Sequence, residues 1–138
     1  MTKEELQRKY FEFQLLDQQL KQIQEQIFLI QQQIQELESL NANLDSISKT
    51  EKKSEILSPL GAGVFIKTEL KENKEVLMNI GAKTAVLKTI PDAKKLIALQ
   101  VNELKRIDMQ LNEQLQQGAL RASALQEEVE QLSKEKQN

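Results

Sequence analysis

EILSPLGAGVFIKTELKENKEVLMNIGAKTAVLKTI, residues 55–90, is the one stretch of this 138-residue chain that does not read as a helix. Glycines stand at turn spacing and β-branched residues cluster. Val64, Ile66, Thr68 and Leu70 alternate with Phe65, Lys67 and Glu69, the period of two that sends neighbouring side chains to opposite faces of a strand. The pattern predicts strands at about 56–60, 64–70, 75–80 and 84–90. Gly61-Ala62-Gly63 and Gly81-Ala82-Lys83 would turn two hairpins, with residues 71–74 as the link. Pro59 has no N–H to give to a ladder, so the first strand should lie at an edge or break there. Two such hairpins cannot bury their apolar faces alone, and their open edges invite pairing. Val64, Ile66, Leu70, Val76, Met78, Ile80 and Val86 are therefore the residues expected to serve subunit assembly.

Outward from this centre the period changes to threes and fours. Thr2 and Glu5 fit a capping box at the start of a first helical arm. Apolar residues then recur at Leu6, Tyr10, Phe13, Leu16, Leu20, Ile23, Ile27, Ile30, Ile34, Leu37, Leu40, Leu44 and Ile47. From Leu16 to Leu37 the spacing is that of a coiled-coil seam, and extra threes at Phe13 to Leu16 and Leu37 to Leu40 should overwind it locally. Such a helix runs for about 70 Å at ~1.5 Å per residue. Asn, Asp, Ser, Thr and Lys gather over residues 41–54 and weaken the helix toward the centre. The second arm should start at Pro91, with a seam at Ile97, Val101, Leu104, Asp108, Leu111, Leu115, Gly118, Ala122, Leu125, Val129 and Leu132. Asp108 and Gly118 are its misfits.

The expected fold is mainly α with a small β centre: a long antiparallel two-helix coiled coil joined by two β-hairpins. Its parts are an N-terminal helix over residues 1–54, an assembly module over 55–90 and a C-terminal helix over 91–138, forming one structural unit. In the antiparallel register, Gly118 and Ala122 fall opposite the region of Ile23 and Leu20.

Composition narrows the chemistry. Aromatic residues make up only 4% of the chain while Gln crowds both ends, too little bulky material for a deep globular core. A net charge of -2 argues against a nucleic-acid partner, and the Lys-rich run at residues 49–53 reads as a solvated helix end. With no Cys and no His, disulfides, thiolate chemistry, Cys- or His-based zinc sites and Ser-His pairs are excluded. GAGVFIKT, residues 61–68, nearly spells a phosphate loop, but Ile66 stands where a glycine is needed and Lys67 lies in a strand. No enzyme, metal site or cofactor is expected. The charged start MTKEELQRKY and the lack of a long apolar run lead to the expectation of a soluble, cytoplasmic protein with no membrane partner.

Near the far ends of the arms Phe11 adds an apolar side chain off the seam, between the seam residues Tyr10 and Phe13. Leu6, Tyr10, Phe11, Phe13, Leu125, Val129 and Leu132 form a tip set, with Leu15 and Leu16 adjoining and Phe28 a weaker case midway. Part of the set should face water, because a two-helix seam covers only a narrow stripe. One reading is a broadened core or a packed subunit contact; the other is a surface for apolar segments of other chains.

The layout resembles the prefoldin subunits, specifically the archaeal-type alpha class with two central hairpins. PLGAGVFIKTEL from Pro59 and VLMNIGAKTAVLKTIPDAKKLI from Val76 carry the resemblance most specifically. It implies a cytoplasmic hexamer in which two alpha subunits join four beta-type subunits and the hairpins complete β-barrels. It also implies an ATP-independent chaperone, a holdase that captures unfolded polypeptides at the coiled-coil tips and passes them to a group II chaperonin. The rival expectation is a structural or adaptor coiled coil for one folded partner. An RNA-binding helical arm is disfavoured by charge.

Overall fold

The computed structural model describes residues 2–137. Helix α1 (Lys3–Lys49) leads into strands β1 (Glu55–Gly61), β2 (Val64–Glu69), β3 (Glu75–Gly81) and β4 (Thr84–Thr89), and helix α2 (Ile90–Gln137) follows. Two long helices thus flank two antiparallel hairpins, β1–β2 and β3–β4, each a two-stranded sheet.

Polar side chains fix the helix ends. The Glu5 N–H donates to Thr2 Oγ1 at 3.4 Å, the forward half of the expected box. At the other end of α1, Ser46, Ser48 and Thr50 hydroxyls donate to the carbonyls of Ala42, Asp45 and Ser46, a local competition that ends the helix at Lys49. Helix α2 begins one residue before the proline: Thr89 Oγ1 accepts from the Asp92 N–H at 3.3 Å and acts as the cap.

The hairpins are copies of one plan offset by twenty residues, since Gly61↔Val64 and Gly81↔Thr84 close them in the same register. In each, an irregularity precedes the turn, between Pro59 and Gly61 and between Asn79 and Gly81. Both central turn residues have positive φ, 50° and 80° at Ala62 and Gly63, 47° and 62° at Ala82 and Lys83. That is the handedness of a type I′ turn, whose twist matches the paired strands. In the second hairpin Asn79 Oδ1 accepts from the Gly81 N–H at 3.0 Å, a bond unavailable to Pro59 at the same place in the first.

By spatial contact the chain divides into two compact units, Met1–Ile34 with Leu104–Asn138 and Gln35–Glu103. In the second unit Leu44, Leu70, Ile90, Ala93, Ile97 and Val101 are buried. The Lys94 ammonium pairs with Asp45 across the helices. Short bonds tie the strands to this base: Lys53 N–H to the Leu70 carbonyl (2.7 Å), Leu70 N–H to Ser54 (2.9 Å) and Ile90 N–H to Lys74 (2.9 Å). Asn73 Nδ2 donates to the Thr50 carbonyl at 3.1 Å, which joins the link between hairpins to the end of α1.

In the first unit the helices pair antiparallel in the register read from the sequence. A Cβ on Gly118 would lie 2.4 Å from Leu20 Cδ2, so the missing side chain lets α2 approach a bulky residue of α1. Ile27, Leu125 and Leu132 are buried, and Asp108 keeps its seam position with Oδ1 buried and without a hydrogen-bond partner.

The apolar seam of α1 differs at two places from the one expected. Tyr10 (54% exposed) and Leu40 (41%) face out, whereas Lys9 and Asn41 take the shielded positions. With Leu6, Lys9, Phe13 and Leu16, and again Ile34, Leu37, Asn41 and Leu44, threes and fours alternate regularly, so the two extra threes vanish. Lys9 is tolerated because its stem covers apolar surface while its ammonium reaches Glu128 at 2.7 Å. Asn41 has no such outlet, and its Oδ1 is buried without a partner.

Candidate functional site

Two regions were marked by the sequence, and the structure places each residue of both. At the ends of the arms, Leu125 (1% exposed) and Leu132 (7%) are buried between the helices, and Leu6, Phe13 and Val129 are half-buried. The accessible apolar surface there belongs to Tyr10, Phe11 (61% exposed) and Leu15 on α1, with Leu120 of α2 beside Arg121. Thus Leu125 and Leu132, on the regular seam of α2, hold the arms together rather than meeting solvent.

Ion pairs cross between the helices at this end. Lys9 Nζ lies 2.7 Å from Glu128, and Arg121 lies 3.5 Å from Glu12. The hydrogen bond and charge of Lys9 hold the Glu128 carboxyl below its ordinary range, against a smaller opposing effect of desolvation. Asp45 is lowered in the same way by its bond to Lys94.

On the hairpins, one face of the first carries the pairs Ile56↔Thr68 and Ser58↔Ile66, with the Ser58 and Thr68 hydroxyls bonded at 2.8 Å. The corresponding face of the second carries Val76↔Lys88 and Met78↔Val86. Leu70 is buried; Val76, Met78 and Val86 are half-buried; Val64, Ile66 and Ile80 are exposed. The opposite face is also apolar, with Leu57, Phe65, Leu77 and Leu87 exposed and the bulge residue Leu60 beside them. These five were not singled out in the sequence. For three of them the signal is the twenty-residue offset, under which Leu57 matches Leu77 and Leu60 matches Ile80, whereas Phe65 and Leu87 match Ala85 and Lys67.

GAGVFIKT is a strand–turn–strand segment, and Lys67 lies 3.8 Å from Glu55 on the neighbouring strand. Among the described residues no group of three or more His, Cys, Asp or Glu side chains is arranged to hold a metal ion, and no helix is long and apolar enough to cross a membrane. The described residues offer sheets with open edges and apolar faces at the centre, and aromatic residues beside ion pairs at the far ends of the helices.

Comparison with known proteins gives this arrangement a family. The family model described as prefoldin subunit matches residues 16–135. The chain belongs to the prefoldin family. Within it, the similar proteins are alpha subunits of archaea. The prefoldin subunit alpha of Methanococcus aeolicus is 28% identical over 92% of this chain and 86% of its own length. That of Thermofilum pendens is 31% identical over 70% of this chain and 74% of its own. A cryo-EM structure of filamentous prefoldin from Methanocaldococcus jannaschii superposes with a TM-score of 0.74 at 16% identity, covering 83% of this chain and 95% of the other. That likeness speaks for the fold: long helices flanking β-hairpins. Prefoldin is a chaperone family, and membership implies assembly with other prefoldin subunits.

Proposed function

We propose that this prefoldin chain is a subunit of a cytoplasmic, ATP-independent holdase, which captures unfolded polypeptides at its coiled-coil ends and delivers them to a group II chaperonin. The observation that carries the reading is the placement of Tyr10 and Phe11, large apolar side chains left exposed beside a zipped helix end. The hairpins are the assembly module, contributed by two copies of this chain to sheets completed by four beta-type subunits. Val64, Ile66, Val76, Met78, Ile80 and Val86 supply apolar contacts there, and Leu70 anchors the first hairpin to the helices.

Several weak apolar contacts on separate arms add through effective concentration, so a client is held firmly without tight binding at any one arm. Of the tip set, Tyr10, Phe11 and the accessible part of Phe13 make contact with clients; Leu6, Leu125, Val129 and Leu132 shape the end on which they sit. Tyr10→Ser with Phe11→Ser should reduce suppression of aggregation by the assembled complex, read by light scattering from a diluted denatured protein without ATP, and leave the mass of the complex unchanged. Undiminished suppression would remove the tip assignment. A structural or adaptor role would show as binding of one folded partner and no protection of assorted denatured proteins.

A further inference from the structure

The two hairpins repeat one plan, yet they differ in charge on the half-buried face. In the first, the pairs Ile56↔Thr68 and Ser58↔Ile66 are neutral, and their polar groups are satisfied within the hairpin. The Ser58 and Thr68 hydroxyls are bonded at 2.8 Å, and Thr68 Oγ1 donates to the Ile56 carbonyl at 3.3 Å. In the second, twenty residues on, the place of Thr68 is taken by Lys88, directly across from Val76 and beside the pair Met78↔Val86. Lys88 is half-buried, as Val76, Met78 and Val86 are. Among the described residues its ammonium has no hydrogen bond and no ion pair, whereas Lys67, on the opposite face of the first hairpin, lies 3.8 Å from Glu55.

In the separate chain, water solvates the Lys88 ammonium. A partner sheet laid on this face would strip that water away, and a buried ammonium is costly unless a carboxylate meets it. The Lys88 stem can lie along its apolar neighbours, which fixes where the charge has to be answered. This chain has no answer of its own, because the paired positions of that face carry no acidic residue in either hairpin. The second hairpin of another copy would bring a second ammonium and no carboxylate, a repulsive pairing. We infer that Lys88 selects the partner of the second hairpin, which is a subunit of different sequence presenting an Asp or Glu carboxylate to this face, while the first hairpin takes an uncharged partner surface. The inference rests on the assembly reading of the hairpins above and adds the chemistry of the partner.

The test uses the complex of the full chain with a beta-type partner. A water-soluble carbodiimide condenses an amine with a carboxylate only where the two are already paired, so it should join Lys88 to one Asp or Glu of the partner, identified by peptide mass spectrometry. Lys88→Met leaves that carboxylate buried and unpaired, and should weaken assembly by at least about tenfold. Lys88→Glu should weaken it further, and replacing the crosslinked carboxylate by Lys in the partner should bring the Lys88→Glu chain back to within several-fold of the parent. Lys67→Met, which removes an ammonium paired inside its own hairpin, should change assembly by less than about twofold. Circular dichroism and native mass of each variant separate lost pairing from lost folding. Assembly of Lys88→Met as tight as the parent, or tighter, would overturn the inference and make the face one of apolar packing alone. Coupling of Lys88 to a carboxylate of its own chain would overturn it equally. Failure of the parent chain to form any complex would instead remove the assembly reading itself.

Discussion

Lys83 occupies a left-handed backbone position, φ 62°, where the first hairpin has Gly63. The left-handed conformation disfavours a side chain by about 1–2 kcal/mol, so Lys83→Gly should stabilise the second hairpin by about 1 kcal/mol, measurable as slower amide exchange in β3 and β4. Gly118 is the opposite case. Alanine there would gain up to ~1 kcal/mol of helix propensity, but its Cβ would meet Leu20 at 2.4 Å. That atom is the free end of a side chain that can shift, so Gly118→Ala should change the stability of the arm by less than about 1 kcal/mol, and in a Leu20→Ala background it should stabilise it by the full ~1 kcal/mol. A double-mutant cycle by denaturant unfolding of the assembled complex reads that difference. The misfit Gly118 was visible in the sequence; its reason was not, because propensity is a property of one helix and close approach belongs to two. Lys9 and Asn41 escaped notice for a related reason: following apolar residues alone skips polar ones that keep the heptad phase.

The hairpins were legible as elements because Gly61 and Gly81 mark the turns and the period of two marks the strands. Both ends of each strand lie within about a residue of expectation. Which faces stay exposed was less legible, since Phe65 shares its face of the strand with Lys67 and Glu69, and Leu77 with Glu75 and Asn79, so that face reads as the minor one. The helices were legible from their seam, yet their polar insertions govern stability. Asn41 Oδ1 is buried and unpartnered, so Asn41→Leu should stabilise the helix pair by about 1–2 kcal/mol, read as a higher midpoint in denaturant. The Asp45 and Glu128 carboxyls bind protons less tightly folded than unfolded, since Lys94 and Lys9 lower both. The stability they contribute is complete above the unfolded pKa values and is lost as pH falls through the lower folded ones. Unfolding midpoints should hardly change, as far as these groups are concerned, from pH 7 to about 5 and should fall below about pH 4. The loss should be smaller in the Lys9→Gln, Lys94→Gln variant.

At the scale of the molecule, the exposed apolar side chains lie in separate places: on the hairpins, on α1, and on α2 at Leu99, Met109 and Leu120. The family and the class were readable from PLGAGVFIKTEL and the equal arms, because two hairpins between long helices are a rare order of elements. The division of labour within the tip was not, because burial of Leu125 and Leu132 depends on the partner helix. Substitution of Val64, Ile66, Met78 and Ile80 by Ser should leave α1 and α2 helical by circular dichroism but release the chain from its partners. The central claim is that the two unfinished sheets make this chain a subunit, and its direct measurement is the native mass of the full chain co-expressed with a single-hairpin beta-type partner. The account predicts a complex of two copies of this chain with four of the partner, which the four Ser substitutions abolish. A stable monomer of this chain that ignores the partner would contradict it.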